Sequence, residues 1–279
     1  TVTFIDVGWG DSIFIEYLDD AGNYHYGLVD CNDEIENERY LSLSAYTFIK
    51  QHFELRGHDF SNDPAFFFIL LTHWHADHSC GLPRIIDKWG TRHFWYPKTD
   101  EEDFDTLLAQ INDPDARIER PEAVNLGKKL PDLGGGVSLI PRWPPYTESG
   151  PYDSNPNNTS VVLELDYDSV RIVLTGDCTA KNWPDIIANT SKNRLRVIQA
   201  PHHGAKDGLF KGSQTPWLDF LGQDAVVALS SHIYPHRHPN QQVIDKLRAV
   251  NRKHVRTDEH FHLVFEVENG KYRTKYSHF

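Results

Sequence analysis

Six consecutive residues concentrate metal-binding chemistry in this chain. His73-Trp74-His75-Ala76-Asp77-His78 supplies three imidazoles and a carboxylate. Neutral imidazole and carboxylate are the usual ligands of zinc and similar ions, and alternate residues on an irregular loop can converge on one ion while their neighbours reach a second. A solvated histidine-rich loop would show the same composition. Position favours metal: the cluster follows directly on the apolar run Ala65 to Leu71, as expected of a strand buried on both faces. Functional groups concentrate where such strands end.

The spacing His73-x-His75-x-Asp77-His78 matches the H-x-H-x-D-H signature of the metallo-β-lactamase superfamily, and the chain resembles that superfamily nearly end to end. Within it, the sequence is most similar to the C-terminal hydrolase-like domain of ComEC-type DNA-uptake proteins and their standalone relatives. Phe4-Ile5-Asp6-Val7-Gly8-Trp9-Gly10-Asp11-Ser12 resembles that group's opening F-x-D-V-G-Q-G-D-[AS], with Trp9 in place of Gln. Leu28-Val29-Asp30 resembles the superfamily's early aspartate, Asn157-Asn158-Thr159-Ser160-Val161-Val162-Leu163 the N-N-x-S-L-V-L run, and Leu174-Thr175-Gly176-Asp177 the T-G-D motif. Ala200-Pro201-His202-His203-Gly204 matches P-H-H-G, and His238-Pro239 with Val243-Ile244 resembles H-P-x-P-E-V-L, although Asn240-Gln241-Gln242 departs from it.

The resemblance implies one or two divalent ions, zinc or manganese. One ion would take His73 and His75, the other Asp77 and His78, with Asp177 bridging and one residue of the P-H-H-G pair completing the second site. His202 is preferred there over His203. A water shared by two cations loses its proton near neutral pH, which creates a nucleophile without any side-chain nucleophile. Many members of the superfamily supply a further histidine to the first ion from the loop before T-G-D. Here that loop reads Asn157-Asn158, and a carboxamide oxygen would tilt the first site towards manganese or magnesium. Asn158 is accordingly a candidate substrate or metal contact. Asp6, Asp11 and Asp30 are candidates to orient metal-bound imidazoles, or to cap turns. Asp77 and His238 are the catalytic candidates, His238 as proton donor to the leaving group or as phosphate contact. His236 could equally be a surface residue at a helix start.

These residues need a scaffold. Thr1 to Asp6 and Ser12 to Leu18 read as a hairpin, Tyr24 to Asp30 as a third strand, and Asn37 to Phe53 as a helix. Helical spacing recurs over Gly81 to Trp89, Asp103 to Ile111, Thr179 to Ala188, Trp217 to Leu221 and Gln241 to Val250. Strands are expected near 92–96, 137–141 and 195–200, over Asp224 to Leu229, and as a hairpin from Val161 to Leu165 and Val170 to Leu174. Pro141 to Asn158 gathers Pro, Gly and Asn into a long loop. The alternation predicts one α/β domain over residues 1–279, an αββα sandwich of two mixed sheets with outer helices.

Composition narrows the partners. The chain has 279 residues, 39% hydrophobic and 12% aromatic, which excludes disordered and collagen-like classes. No apolar run is long enough to span a bilayer, and no charged-then-apolar leader opens the chain. Methionine is absent even at position 1, so a leader removed ahead of Thr1 stays open and the cytoplasm is only the default expectation. Three cysteines, Cys31, Cys80 and Cys178, are too few for a disulfide framework and are expected to be free, buried thiols near the site. The net charge of −12 opposes general adsorption to polyanions, yet the C-terminal third is net basic.

Phosphodiester hydrolysis on nucleic acid or a nucleotide is therefore the first functional expectation, with Lys206, Lys211 and Arg237 as phosphate contacts. The alternatives are another ester (phosphocholine ester, thioester or lactone) and a metal-binding module without catalysis. For a choline headgroup, Trp74, Trp143, Tyr146 and Tyr152 are the candidate aromatic box.

Overall fold

In the computed structural model, which describes residues 1–33, 44–60, 63–98 and 105–277, the apolar runs pair into two sheets. The first is built from β1 (Val2–Phe4), β2 (Ser12–Leu18), β3 (Tyr24–Cys31), β4 (Phe66–Leu70), β5 (Thr91–Tyr96) and β6 (Ile118–Ala123). The second contains β7 (Ser138–Trp143), β8 (Val162–Tyr167), β9 (Val170–Leu174), β10 (Leu195–Gln199), β11 (Val226–Leu229) and β12 (His254–Arg256). A final hairpin, β13 (His262–Glu268) and β14 (Lys271–Ser277), returns to the first sheet beside β1, giving the orders β14-β13-β1-β2-β3-β4-β5-β6 and β12-β11-β10-β9-β8-β7.

Both sheets are mixed, and they change direction in the same way. Hairpins make the pairs β1–β2, β2–β3, β7–β8 and β8–β9 antiparallel. Crossovers then make β3–β4, β4–β5, β9–β10 and β10–β11 parallel. The period-two alternation of the strands sorts their side chains between layers. Ile13, Ile15, Val29 and Phe68 face Leu163, Leu165, Ile172 and Val197 across the middle of the sandwich. Phe14, Leu28 and Ile69 turn outward under Phe48, Ile49 and Phe53 of the helix Ala45–Arg56 and Ile85 and Ile86 of the helix Leu82–Trp89. On the far side, Val173, Ile198 and Val227 pack against Trp183, Trp217 and Leu247 from the helices Trp183–Ala188, Pro216–Phe220 and Gln241–Ala249. Helix, sheet, sheet and helix are the four layers expected.

The differences are local. The expected helix Asn37 to Phe53 starts at Ala45, where Ser44 accepts a hydrogen bond from the Thr47 amide as its N-cap; residues 37–43 lie outside the described residues, as do 103 and 104 of the expected helix Asp103 to Ile111. Strand β6 was not expected: Ile118-Glu-Arg-Pro-Glu-Ala has neither apolar alternation nor a free amide at Pro121. It survives because it is an edge strand, paired only to β5. The long loop Pro141 to Asn158 is shorter than read, since β7 runs on to Trp143 and Pro156–Thr159 forms one helical turn.

Candidate metal centre

Every chemical motif sits at one edge of the sandwich. His73, His75, Asp77 and His78 follow β4, Asp177 follows β9, the turn Pro201–Gly204 follows β10, and the loop 230–239 follows β11. Ligand sites lie outside the carboxyl ends of such strands because successive crossovers leave their loops side by side. Two glycines let the loops close. A Cβ on Gly176, whose φ is +47°, would come within 2.6 Å of Thr72 Oγ1. One on Gly10, at φ +95°, would run into the Asp77 carbonyl at 2.3 Å, and the next amide, Asp11 N, donates to that carbonyl at 3.0 Å.

The Asp177 carboxylate is the meeting point, almost fully buried. Its Oδ1 lies 3.2 Å from His78 Nε2 and 3.4 Å from His203 Nε2. Asp77 Oδ2 joins that group at 3.2 Å from His203 Nε2 and 3.8 Å from His78 Nε2. The other oxygen, Asp177 Oδ2, lies 3.6 Å from His73 Nε2 and 3.5 Å from His202 Nε2. His75 Nδ1 stands 3.1 Å from His73 Nε2. Bonds of about 2.0–2.2 Å set donors around one tetrahedral ion roughly 3.4 Å apart, so these spacings suit an ion on each side of Asp177. The fit has a second sign: Asp177 Oδ1 is buried and makes no hydrogen bond among the described residues. A buried carboxylate oxygen whose neighbours are imidazole nitrogens is suited to a cation.

Hydrogen bonds behind the imidazoles fix which nitrogen faces forward. Asp30 Oδ2 accepts from His78 Nδ1 at 2.8 Å and from Thr72 Oγ1 at 2.7 Å, and Asp30 Oδ1 accepts from the Thr72 amide at 2.6 Å. Thr72 Oγ1 is then free to accept from His73 Nδ1 at 3.1 Å. His203 Nδ1 donates to the Ser230 carbonyl at 3.0 Å. With Nδ1 of all three rings engaged in this way, Nε2 is the nitrogen that faces Asp177 and would bind an ion once its proton is displaced. Asp11 also approaches the cluster, 3.7 Å from His78 and 3.8 Å from His203, but on their Nδ1 side. It accepts from Gln199 Nε2 at 2.7 Å. Asp77, not Asp11, shares the front of the rings.

The electrostatics describe a site built for positive charge. Burial alone would raise the Asp177 carboxyl, but His203, His78, His202 and His73 outweigh it and hold it well below the ordinary range. Burial opposes charge on His203 too, yet Asp177, Asp11 and Asp77 raise it to about 10. His78 is likewise held well above its usual value, against burial, by Asp177, Asp77 and Asp30. Burial pushes Asp11 up to about 6. Protons on His78 and His203 thus occupy the negative potential that a metal ion would otherwise take.

Against the sequence reading, the structure brings His73, His75, Asp77, His78, Asp177, His202 and His203 together. The preference for His202 beside Asp77 and His78 is corrected: His203 takes that place. Both residues are left-handed, at φ 52°, and the carbonyl of Ser230 aims His203 inward, while Asp207 Oδ1 holds His202 Nδ1 at 2.8 Å on the other side of Asp177. Asp30 and Asp11 stand behind imidazoles as anticipated, whereas Asp6 Oδ1 accepts from the Gly8 amide and caps the turn. Asn158 is buried, and its Oδ1 accepts from Thr179 Oγ1 at 2.5 Å and Asn182 Nδ2 at 3.3 Å, so it offers no oxygen to an ion. Asn157 Oδ1, buried with no hydrogen bond among the described residues, is the carboxamide oxygen to spare. Gln199 carries no sequence signal because its partner Asp11 is 188 residues away, and Asp207, five residues after His202, matches no metal motif.

A cavity of about 200 Å³ opens over the donors, lined by Trp9, His232, His236 and His238 besides the ligand residues. Lys206, Lys211, Arg237 and Asn158 do not line it. His238 does, and burial with the nearby His203 and His202 lowers its imidazole to about 4. The proposed aromatic box does not form there: Trp74 and Trp143 are buried, and Trp143 Nε1 donates to the Asn158 carbonyl at 2.7 Å. A separate cavity of about 260 Å³ lies at the opposite end of the strands, among Glu16, Tyr17, Tyr24, Leu165 and Tyr167, away from all of these donors. Cys31, Cys80 and Cys178 form no disulfide among the described residues; burial raises Cys178 to about 12, while Cys80, contrary to expectation, is exposed.

No curated protein sequence matches the chain. Among solved structures, a metallo hydrolase from Ignicoccus hospitalis, Igni18, superposes with a TM-score of 0.54 at 16% identity, covering 98% of both chains. Unliganded yeast PDE1 superposes at 0.53 and 11% identity, over 89% of this chain and 93% of its own. These likenesses are ones of fold. The family model described as the metallo-beta-lactamase superfamily matches residues 68–210, just over half of the chain and every donor from His73 to His203. No helix among the described residues is long and apolar enough to cross a membrane. With that match and a converging Asp/His cluster at the expected strand ends, the chain belongs to the metallo-beta-lactamase superfamily and is a metal-dependent hydrolase.

Proposed function

We propose that the protein is a phosphodiesterase, acting on a nucleotide or nucleic-acid phosphodiester. The observation that carries this reading is the shared Asp177 carboxylate: one oxygen faces His78, His203 and Asp77, the other His73 and His75. Two adjacent donor sets joined by one carboxylate suit in-line displacement at phosphorus, where attacking and leaving oxygens both need stabilisation. Ions held there would supply a water acidified to near neutral pH and a Lewis acid for the phosphoryl oxygen. The protein's share is to hold the donors: Asp30, Thr72 and Ser230 fix the ring tautomers, and Asp11 braces His78 and His203 from behind. His238, on the cavity wall, is placed to give a hydrogen bond to a phosphoryl oxygen. The likeness of the opening and P-H-H-G segments to ComEC-type domains supports the same reading.

Zinc and manganese are both candidates. Imidazole-rich donors suit zinc, and the carboxylates of Asp77 and Asp177 suit manganese. The test is a turnover panel with each metal supplied: single- and double-stranded DNA, RNA, cyclic nucleotides and bis(p-nitrophenyl) phosphate, with thioester and lactone substrates beside them. Turnover of phosphodiesters that disappears in Asp177→Asn supports the proposal. Turnover confined to a thioester or lactone overturns it.

A further inference from the structure

We infer that the mouth of the cavity is a stacking site for a planar aromatic group, held by Trp9 and His236, so that the phosphodiester it takes carries a nucleobase or similar ring. The inference rests on the phosphodiesterase reading and adds the class of substituent.

Beyond the metal donors, the cavity wall offers flat rings and no Lys or Arg. Trp9 meets His236 edge to face, with ring centroids 5.3 Å apart. His236 stacks towards His238 at 6.2 Å, and His238 lies 5.7 Å from His202. A run of rings therefore leads from the rim to the Asp177 cluster. Trp9 is partly exposed, and its loop is tied to the metal site on two sides. Asp11 N donates to the Asp77 carbonyl at 3.0 Å, and Ser230 Oγ donates to the Gly10 carbonyl at 3.0 Å. The His236 loop is closed by Arg237 N donating to the Ile233 carbonyl at 2.6 Å and anchored by Asn240 N donating to the Gly204 carbonyl at 3.0 Å. Both loops are held in place by these bonds to their backbones, and pre-ordering of this kind lowers the cost of binding.

The charges argue for one phosphate at a time. Lys206, Lys211 and Arg237 are exposed and absent from the lining. A polyanion would find its second and third phosphates unneutralised, whereas a single diester with a flat substituent meets both kinds of surface present. Stacking on an aromatic side chain tolerates any base, because every base has a π-face.

The test is calorimetric binding of adenosine 5′-monophosphate and of ribose 5-phosphate to the manganese-loaded protein, in wild type, Trp9→Ala, Trp9→Phe and His236→Ala, with metal content measured for each. We expect the nucleotide to bind about tenfold more tightly than the sugar phosphate. Trp9→Ala should erase that difference by weakening the nucleotide alone, Trp9→Phe should keep most of it, and metal content should stay unchanged. Equal binding of the two ligands by wild type, unaffected at Trp9, overturns the stacking site and leaves the phosphodiesterase reading standing. Failure of both to bind, with phosphocholine bound instead, overturns both.

Discussion

The two oxygens of Asp177 meet unlike surroundings. On the Oδ1 side, His78, His203 and Asp77 complete a four-donor set with the carboxylate, and each imidazole is braced from behind. On the Oδ2 side, His73 and His75 make three donors with it. His202 touches the same oxygen but is aimed by Asp207 from the other direction. A closed tetrahedral set holds an ion tightly, and a three-donor set leaves a position for water or substrate. The contrast predicts that the two halves of one motif have different tasks, one closer to structural retention and the other to exchange with ligand.

The comparison breaks first if Asp177 is removed. Asp177→Asn removes the negative charge and one of the two oxygens shared between the halves, and leaves the charges on His78 and His203 less compensated. Elemental analysis should show loss of bound metal, and phosphodiester turnover should fall by on the order of a thousandfold or more, as expected when several kcal/mol of ion-supplied stabilisation is lost. Full metal content in Asp177→Asn would show that the carboxylate does not bridge.

Single-donor variants sharpen the asymmetry. In a titration of metal-stripped protein with zinc, we expect two unequal affinities. His203→Ala should weaken the tighter step by about a hundredfold or more, since losing even the partner behind a ligand costs 10–100-fold. His75→Ala should weaken only the looser step. Equal effects of the two variants on both steps would mean a single ion shared by all donors.

How far this was legible in the sequence follows from the range of the interactions. The H-x-H-x-D-H loop, the T-G-D turn and the apolar run before the loop are local patterns, and the structure sets them as read. The roles of His202 and His203 were not legible. Both are left-handed residues in one turn, and only Ser230 and Asp207, 27 and 5 residues away, decide which ring faces which oxygen. Lys206, Lys211 and Arg237 were chosen by closeness in sequence, but none lines the cavity. The hairpin β13–β14 is marked in the sequence only by Asn269-Gly270, both residues adopting positive φ of 52° and 69°. Its strand Lys271–Ser277 alternates charged and aromatic residues at a sheet edge, a pattern that resembles a solvated surface.

The braces behind the rings form a smaller test of the same contrast. Asp30→Asn keeps the shape but weakens the acceptor shared by His78 Nδ1 and Thr72. Metal affinity should fall by about 10–100-fold, with the tighter step affected most. Asp6→Asn, at the carboxylate that accepts from the Gly8 amide, should leave affinity unchanged. If Asp30→Asn matched Asp6→Asn, the hydrogen bonds of Asp30 would be packing rather than orientation.

The smallest effect is on the stability of the metal-stripped protein, and its sign follows from His203 and His78. Both imidazoles are raised above the ordinary value of 6.5, His203 to about 10. Between pH 6.5 and 10 the unfolded chain has lost these protons while the folded chain keeps them. The folded state therefore binds more protons over that window, and its stability falls as pH rises through it. Asp77 and Asp177 are lowered; their contribution is present above the ordinary carboxyl range and is lost only in acid, so they do not act here. Ions displace the imidazole protons, and the loaded protein should lack the slope. Calorimetric melts of stripped protein at pH 7, 8, 9 and 10 should show Tm decreasing by on the order of 5 °C beyond the loaded protein, given a few degrees per kcal/mol for a chain of this size. His203→Ala removes one of the two raised groups and should reduce that excess. A stripped protein whose Tm tracks the loaded one across this range would mean that the Oδ1 half carries no raised imidazole, and the difference between the two halves would then lie in geometry alone.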